Sequence, residues 1–351
     1  MRKANWSRRR WAAVAASTLL GGFAVVAPGA GRAADAVANF YDGRTLNVVI
    51  GYSVGGGYDL YARLLSKYIG DHIPGKPQIT PQSMPGAGSL KAVNYLYAAA
   101  PKDGSVFGTF GRTMPIEPLL GSAPFDARKL TWLGSITSDV SVCVTWHTSP
   151  IKTFDDLEKQ PSTFAGQGAG SDPDVFASTI KNLFAPKLKL VTGYPGSNEG
   201  ALAMERGEVD GECGVSWSTL AASHPEWVRD HKINVLVQAA LEKDPELPNV
   251  PLLLDLAKDD ETRAILKVIV ASQTFARPFA APPGLAADRT AVLRTAFDDT
   301  MKDPAFLADA KQLGLQVRPV SWQRIEQLMP EIYDTPKDIL AKAKAVVGGT
   351  M

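Results

Sequence analysis

Metal-binding and disulfide-forming side chains are scarce in this chain of 351 residues, which has two cysteines and four histidines. The histidines are scattered without the spacing of metal ligands, so we expect neither a zinc site nor any other cofactor. The two cysteines, Cys143 and Cys213, allow one disulfide bond in an oxidising compartment. Because the sequence alone does not place their Cα atoms within bridging range, a pair of buried reduced thiols is an equal alternative.

Long apolar runs are also scarce. One apolar stretch, at residues 11–26, follows five basic residues and precedes small residues near position 34. This order is typical of a signal peptide, and the stretch is shorter than the roughly 20 residues that span a bilayer. We therefore predict that residues 1–34 are a leader, cleaved after export to the periplasm by the twin-arginine or the general secretory route. The mature chain is expected not to insert into a membrane directly.

Positive charge is not in excess once this leader is removed. Six of the 37 basic residues and none of the 36 acidic residues precede Asp35, which leaves 31 basic and 36 acidic residues and a net charge of −5. A mildly acidic chain without a basic stripe argues against nucleic acid and anionic membranes as partners. An anionic ligand stays possible, because backbone dipoles can hold an anion locally.

The sequence is rich in short apolar, β-branched runs that alternate with amphipathic helical patterns, which is typical of an α/β protein. The mature length is about twice that of a typical domain, so we predict two lobes. Residues 35–141 and 242–351 are assigned to lobe 1, and residues 142–241 to lobe 2. Strands are predicted at residues 46–50, 78–80, 106–110, 138–146, 163–166, 188–192, 209–215 and 233–239, and helices near 201–206, 285–301 and 321–332.

Gly-rich turns lie between a predicted strand and a predicted helix in both lobes, at residues 52–58 and 168–172. Such a turn directs several backbone N–H groups and the positive end of a helix dipole at one point. A carboxylate could therefore sit between two opposed helix ends, and closure of the lobes would strengthen both contacts. The alternative is that these glycines only serve tight turns.

A competing motif is G-x-S-x-G, the nucleophile elbow of hydrolases, which residues 51–55 match around Ser53. In hydrolases of that fold several strands precede the nucleophile, whereas here the preceding strand is the first after the leader. His224 and His231 lie in a polar stretch without a catalytic pattern. We therefore predict that the protein is not an enzyme.

Further side chains are candidates with two interpretations each. Arg112 follows the third predicted strand and could pair with a second ligand carboxylate, or it could be a solvated loop arginine. Tyr194 and Trp217 could stack on a ligand or pack in a core. Asp59 and Arg63, at i and i+4, are predicted to form a structural ion pair. One acidic run could face a partner protein or simply be solvated: Glu205, Glu208, Asp210 and Glu212.

Several short motifs, in this order, resemble the receptors of tripartite tricarboxylate transporters, also called the Bordetella-uptake (Bug) family. The first is residues 49–59, VIGYSVGGGYD, followed by Ala62-Arg63. The others are MPGAG at 84–88, PKDG at 101–104, GAGS at 168–171, YPG at 194–196, RGEVD at 206–210, PNVP at 248–251 and PPG at 282–284.

The resemblance implies a type II periplasmic-binding-protein fold, with two α/β lobes joined by crossing strands. It also implies capture of a small organic carboxylate and delivery to a two-component membrane permease; a ligand-sensing subunit of a signalling kinase is the alternative. Carried over by motif, the loops at 53–56 and 168–171 would hold a carboxylate, and the loop at 86–88 would line the pocket. The candidate ligand-binding residues are Tyr52, Ser53, Val54, Gly55, Gly56, Tyr58, Gly86, Ala87, Gly88, Ser89, Arg112, Gly168, Ala169, Gly170, Ser171, Asp172, Tyr194, Ser216 and Trp217.

Three positions depart from the family's pattern. Ser53-Val54 replaces a pair of prolines, Ser89 replaces a glycine, and Asp174 replaces a histidine. These departures do not support carrying over the citrate and C4 dicarboxylates that are familiar in this family, so the sequence leaves the identity of the carboxylate open.

Overall fold

The computed structural model describes residues 36–121 and 123–348, so the predicted leader lies outside the described residues. The strands, in chain order, are β1 (Thr45–Ile50), β2 (Gln78–Ser83), β3 (Val106–Thr109), β4 (Thr131–Ser135), β5 (Ser141–Trp146), β6 (Ser162–Ala165), β7 (Leu188–Val191), β8 (Gly211–Ser216), β9 (Ile233–Ala239), β10 (Pro278–Ala281) and β11 (Val320–Ser321).

The α-helices are α1 (36–41), α2 (Gly57–Tyr68), α3 (Leu90–Asn94), α4 (Glu117–Leu120), α5 (Phe154–Lys159), α6 (Asp172–Leu183), α7 (Ser197–Glu205), α8 (Trp217–Ser223), α9 (Pro225–Arg229), α10 (Asp260–Val270), α11 (Ala287–Thr300), α12 (Pro304–Gln312), α13 (Trp322–Tyr333) and α14 (Lys337–Val347). No helix among the described residues is long and apolar enough to cross a membrane.

The strands form two separate mixed sheets. The first has the order β11-β4-β10-β3-β1-β2, in which β1 is parallel to β2 and β3 while β10 is antiparallel to its neighbours. The second has the order β7-β6-β8-β5-β9, with β5 antiparallel to β8 and β9. The chain passes from the first sheet to the second between β4 and β5 and returns between β9 and β10. This two-lobed α/β architecture confirms the predicted fold class.

Strand β1 shows why the first sheet is covered on both faces. Leu46, Val48 and Ile50 pack into one apolar core with helices α2, α11 and α12, whereas Val49 packs into another. Because side chains alternate along a strand, this near-continuous apolar run fits a strand between two layers of helices. The second core extends through both lobes, and helix α14 packs against α4, α6 and α10.

A third core lies between the second sheet and the helices α7, α8 and α9. On the sheet itself Cys143 of β5 and Cys213 of β8 form a disulfide bond, which is the first of the two alternatives that the sequence left open. The bond joins two adjacent antiparallel strands near the middle of the sheet.

Several elements differ from the sequence-based predictions. The predicted strand at 138–146 begins only at Ser141, and the helix predicted at 201–206 begins four residues earlier, at Ser197. Three strands were not predicted, β4, β10 and β11, and neither were the helices α1, α4, α8, α9, α10, α12 and α14. Strand β10 is four residues long and begins with Pro278. It therefore shows neither the alternation of apolar and polar residues nor the length that identifies a strand in a sequence, although it lies in the middle of the first sheet.

Candidate functional site

A cleft with an empty volume of about 820 Å³, part of it open to solvent, lies between the two lobes. Its first-lobe wall lies where β1 and β3 end, because the carboxyl ends of parallel strands meet at one edge of a sheet. Its second-lobe wall lies where α7 and α8 begin. The first-lobe residues that line the cleft are Tyr52, Ser53, Gly56, Gly57, Tyr58, Arg112 and Arg277.

The N-terminus of α2 opens into this cleft without a side-chain cap. The N-cap residue is Gly56, which has no side chain to cap the helix. Both Gly56 and Gly57 line the cleft. The first N–H groups of a helix have no partner within the helix, so they are available to an anion. Gly57 is required here, because a Cβ atom on it would lie 2.7 Å from Thr219 Cγ2 on the opposite lobe.

The preceding turn is held by the protein's own carboxylate. Asp59 accepts a hydrogen bond from the backbone N–H of Gly55 at 2.8 Å, and Arg63 Nε lies 2.8 Å from the same carboxylate oxygen. The predicted Asp59–Arg63 ion pair is therefore confirmed. The Asp59 carboxylate therefore holds the turn before α2 and is not itself among the residues that line the cleft.

A second uncapped helix N-terminus, that of α7, lines the same cleft from the other lobe. Its N-cap residue is Gly196, again without a side-chain cap, and Gly196, Ser197 and Asn198 all line the cleft. Ser53 Oγ reaches across the cleft to donate to Glu199 Oε2 at 3.4 Å. The two opposed helix ends are thus those of α2 and α7.

The second-lobe loop that was predicted to face α2 is already occupied. One carboxylate oxygen of Asp174, Oδ2, accepts hydrogen bonds from Gln167 N at 2.6 Å, Gly168 N at 2.9 Å and Ser171 Oγ at 2.8 Å. Asp174 is fully buried. An internal carboxylate therefore occupies the turn at the start of α6, and the N–H groups of Gln167 and Gly168 are already bonded to it.

The loops at 86–89 and 168–171 pack on each other and do not line the cleft. A Cβ atom on Gly88 would lie 2.7 Å from Ser171 N, and Thr113 Oγ1 donates to Gly170 O at 2.5 Å. The residues concerned are Gly86, Ala87, Gly88, Ser89, Gly168, Ala169, Gly170 and Ser171. They form a contact between the lobes beside the cleft.

Arg112 is buried and paired, so its interpretation as a solvated loop arginine is wrong. Its side chain is 1% exposed, and Nε donates to the carboxylate of Asp172, the first residue of α6. Nη2 donates to Ser141 Oγ at 2.5 Å. Arg112 and Asp172 both line the cleft, and they join the lobes across it.

Arg277 is a cleft residue that sequence reasoning missed. It is 2% exposed, and Nη2 donates to Ser216 Oγ at 2.7 Å and to Thr219 Oγ1 at 2.5 Å. Its guanidinium lies over the ring of Tyr58, 4.7 Å from the ring centroid. Among the described residues no carboxylate contacts Arg277 directly, and its Nε has no hydrogen-bond partner. The buried carboxylate of Asp139 is joined to it through Ser216 Oγ, which accepts from Arg277 Nη2 and donates to Asp139 Oδ2. It lies between Ala276 and Pro278, in no motif.

Two tyrosines form the aromatic part of the first-lobe wall. Tyr52 and Tyr58 are stacked with ring centroids 4.6 Å apart, and the Tyr58 hydroxyl accepts a hydrogen bond from Arg112 N at 2.9 Å. Burial raises the pKa of Tyr58 to about 12, so its hydroxyl stays protonated. The Tyr58 ring contacts the Arg277 guanidinium and its hydroxyl holds the backbone of Arg112, without adding charge.

The remaining candidates lie in different surroundings. Ser216 lines the cleft and caps α8, whereas Trp217 is buried in the third core and donates to Glu246 at 2.9 Å. Tyr194 packs against that same core. Val54 is 64% exposed, and Val54 and Gly55 do not line the cleft.

The acidic run does not form one solvated face. Glu205 and Glu208 are exposed, but Glu212 is 3% exposed and lines the cleft. Its Oε1 accepts from Gln167 Nε2 at 3.1 Å. Burial raises the pKa of Glu212 to about 8, helped by the nearby charges of Asp174 and Glu199. At neutral pH this carboxyl group is therefore mostly protonated.

Comparisons with known proteins agree with this architecture. Periplasmic binding protein BugD superposes with a TM-score of 0.69 at 16% identity, covering 86% of this chain and 98% of that chain. MatC from Rhodopseudomonas palustris with bound malate has a TM-score of 0.65 at 20% identity, covering 87% and 99%. An R. palustris protein with adipate has a TM-score of 0.66 at 16% identity, covering 87% and 98%. At these identities the similarities show a shared fold.

No curated protein sequence matches the chain. Residues 71–344, well over half of the chain, match the TctC family, the tripartite tricarboxylate transporter family receptor. This match confirms the resemblance that the sequence motifs indicated. The chain therefore belongs to the tripartite tricarboxylate transporter receptor family and is a solute-binding receptor, not an enzyme.

Proposed function

We propose that this receptor captures a small organic carboxylate in the periplasm, between its two lobes, and delivers it to a two-component permease. Residues 1–34 would be removed as a leader, lobe 1 would comprise residues 35–141 and 242–351, and lobe 2 residues 142–241. The malate and adipate bound by two proteins of the same fold support a carboxylate as the ligand.

The observation that carries the proposal is Arg277, a buried cation at the cleft that no carboxylate contacts directly among the described residues, since Asp139 is joined to it only through Ser216 Oγ. Taking an arginine out of water is costly unless a counter-charge is supplied. A Cβ atom on Gly57 would lie 3.1 Å from Arg277 Nη2, so the guanidinium lies beside the uncapped N-terminus of α2. A ligand carboxylate at this point would receive helix N–H groups and face the guanidinium.

Closure of the lobes explains how weak individual contacts would give capture. The end of α7 approaches the first-lobe loop from across the cleft, and the pair Arg112–Asp172 holds the two lobes together. Excluding water lowers the local dielectric constant and strengthens each contact with the anion. Opening of the same contacts would release the ligand to the permease.

A thermal-shift screen of the mature protein, from residue 35 onward, tests the proposal. The protein is first stripped of bound solute and then mixed with mono-, di- and tricarboxylates at millimolar concentration. A ligand that binds only the folded state raises the unfolding midpoint. We expect a clear shift with at least one carboxylate.

Two variants show whether the shift comes from the cleft. Arg277→Met should lose most of the shift, whereas Arg324→Met, at a half-exposed site on α13, should keep it. No shift with any carboxylate would refute the proposal. An equal shift in Arg277→Met and in wild type would place the carboxylate elsewhere.

A further inference from the structure

The cleft continues beyond Arg277 into the second lobe as an apolar pouch. This pouch is lined by Val144 of β5, Ala201 and Met204 of α7, Leu220 of α8 and Trp227 of α9. All five are buried, with exposures between 1% and 9%, and all belong to the third core. The pouch is therefore an opening in a hydrophobic core, and it is suited to an apolar group.

The charged groups near this pouch are carboxyl groups and one histidine, His224, which lines the cleft and stacks on Trp227 with ring centroids 4.0 Å apart. Glu212 lines the cleft from the sheet, and a Cβ atom on Gly200 of α7 would lie 2.9 Å from its Oε2. Glu199 and Asp174 are close enough to act on it electrostatically. All three acidic residues belong to the second lobe.

The two arginines of the cleft belong to the first lobe, whereas His224 belongs to the second lobe and lies 3.7 Å from Glu226 Oε1. Among the lining residues of the described chain, the lysines and arginines are Arg112 and Arg277, both from the first lobe. Arg112 is already paired with Asp172, so Arg277 is the arginine left for a ligand. The cleft thus has one place for a carboxylate, and the pouch offers no lysine or arginine for a second one.

We propose that the ligand is a monocarboxylate with an uncharged apolar body, aliphatic or aromatic, whose body enters the pouch while its carboxylate meets Arg277 and α2. This inference rests on the proposed function, since it assumes capture of a carboxylate in the cleft. Such a receptor differs from one for di- or tricarboxylates in the chemistry of the apolar pouch. A second carboxylate there would be desolvated next to Glu212 without a cation to pair with it.

Isothermal titration calorimetry of the stripped, wild-type mature protein at pH 7 tests this inference with matched ligands. Hexanoate and adipate share one six-carbon chain and differ in a terminal methyl or carboxylate group. The aromatic pair is 3-phenylpropanoate and 3-(4-carboxyphenyl)propanoate. We expect the monocarboxylate of at least one pair to bind about tenfold or more tightly than its dicarboxylate, because the second carboxylate would lose its water without gaining a lysine or arginine partner.

Two further ligands separate the possible failures. If 6-aminohexanoate bound more tightly than hexanoate, the acidic groups would be a cation site and the inference would be overturned. Equal or tighter binding of the dicarboxylates, or binding of malate or citrate without either monocarboxylate, would also overturn it while leaving the proposed function intact. Hexanamide binding as tightly as hexanoate, or no carboxylate binding at all, would instead refute the proposed function.

A variant pair tests the role assigned to Glu212. The ratio of hexanoate to adipate affinity is measured at pH 8.5, where the wild-type carboxyl group is largely ionised. We expect Glu212→Gln to lower this ratio by about threefold or more, and Glu205→Gln, on the exposed face of α7, to leave it unchanged. The unfolding midpoint of each ligand-free variant shows that it is folded. An unchanged ratio in folded Glu212→Gln would overturn the electrostatic basis of the inference.

Discussion

Arg112 in the first lobe and Asp172 in the second form an ion pair across the cleft, and their side chains are only 1% and 6% exposed. The same guanidinium also donates through Nη2 to Ser141 Oγ at the start of β5. Both charges have left water, so each depends on the other for compensation. This single ion pair therefore stabilises the closed arrangement of the two lobes.

Replacing one partner of this pair should be costly. We expect Asp172→Asn to lower the free energy of unfolding by about 3–5 kcal/mol, because it leaves the Arg112 charge buried without a counter-charge. Guanidinium chloride denaturation measures the change. The control is Asp155→Asn, which breaks the exposed Asp155–Lys159 pair and should cost about 0.5 kcal/mol or less. Similar costs for the two variants would show that the buried pair does not hold the structure.

The internal carboxylate of Asp174 gives a second prediction. Asp174→Ala removes the acceptor for two backbone N–H groups and one hydroxyl, all of which become unsatisfied. We expect a loss of about 2–4 kcal/mol in unfolding free energy, and a smaller loss for Asp174→Asn, which keeps one acceptor oxygen. Chemical denaturation measures both changes.

The matched control for Asp174 is Asp156→Ala, in the exposed capping box that Thr153 and Asp156 form at the start of α5. Loss of an exposed cap should cost about 1 kcal/mol. If Asp174→Ala cost no more than this, the turn at Gln167 and Gly168 would not depend on Asp174, and it would be open to an external anion.

The first strand, turn and helix were readable from the sequence because local rules and tertiary packing agree there. Residues 46–50 are uniformly apolar and become β1, and the glycines at 55–57 separate them from the periodic pattern of α2. The Asp59–Arg63 pair follows from i,i+4 spacing alone. The spacing Thr153-x-x-Asp156 likewise matches a capping box, and these two residues form one at the start of α5.

The second-lobe anion site was harder to predict from the sequence, because a Gly-rich turn binds an anion only if its N–H groups are free. Here Asp174 folds back onto the turn, and the uncapped helix end is that of α7. The spacing Ser171-x-x-Asp174 before a helical run resembles a capping box, so it could have indicated that this end is satisfied internally. No local pattern in the sequence marks Arg277 as a cleft residue, because its hydrogen-bond partners Ser216 and Thr219 are far from it in the sequence.

The disulfide bond between Cys143 and Cys213 closes a loop with a sequence separation of 70 residues. A cross-link of this length restricts the unfolded chain, and we expect Cys143→Ser with Cys213→Ser to lower the free energy of unfolding by about 2–5 kcal/mol. Denaturation of the oxidised and double-variant proteins measures the difference. Addition of reductant should destabilise wild type and leave the double variant unchanged; equal sensitivity of the two proteins would contradict the pairing.

Glu212 should make stability depend on pH in a direction opposite to that of an ordinary paired carboxylate. Its pKa is raised from 4.5 to about 8 in the folded protein, so between these values the folded state holds a proton that the unfolded state has lost. The free energy of unfolding must therefore fall as the pH rises through this window, by at most about 1.4 kcal/mol per pH unit from this group. Between pH 5.5 and 7.5, wild type should lose about 2 kcal/mol more than Glu212→Gln, as measured by urea denaturation.

Another buried carboxyl group contributes with the same sign, because burial raises the pKa of Glu117 to about 7. Glu117→Gln should therefore weaken the pH dependence of the free energy of unfolding mainly below pH 7, whereas Glu212→Gln should weaken it up to about pH 8. Glu205→Gln, at an exposed position, should leave the wild-type curve unchanged. Parallel curves for wild type and Glu212→Gln would mean that Glu212 is ionised in the folded protein at neutral pH, and the far end of the cleft would then carry a full negative charge.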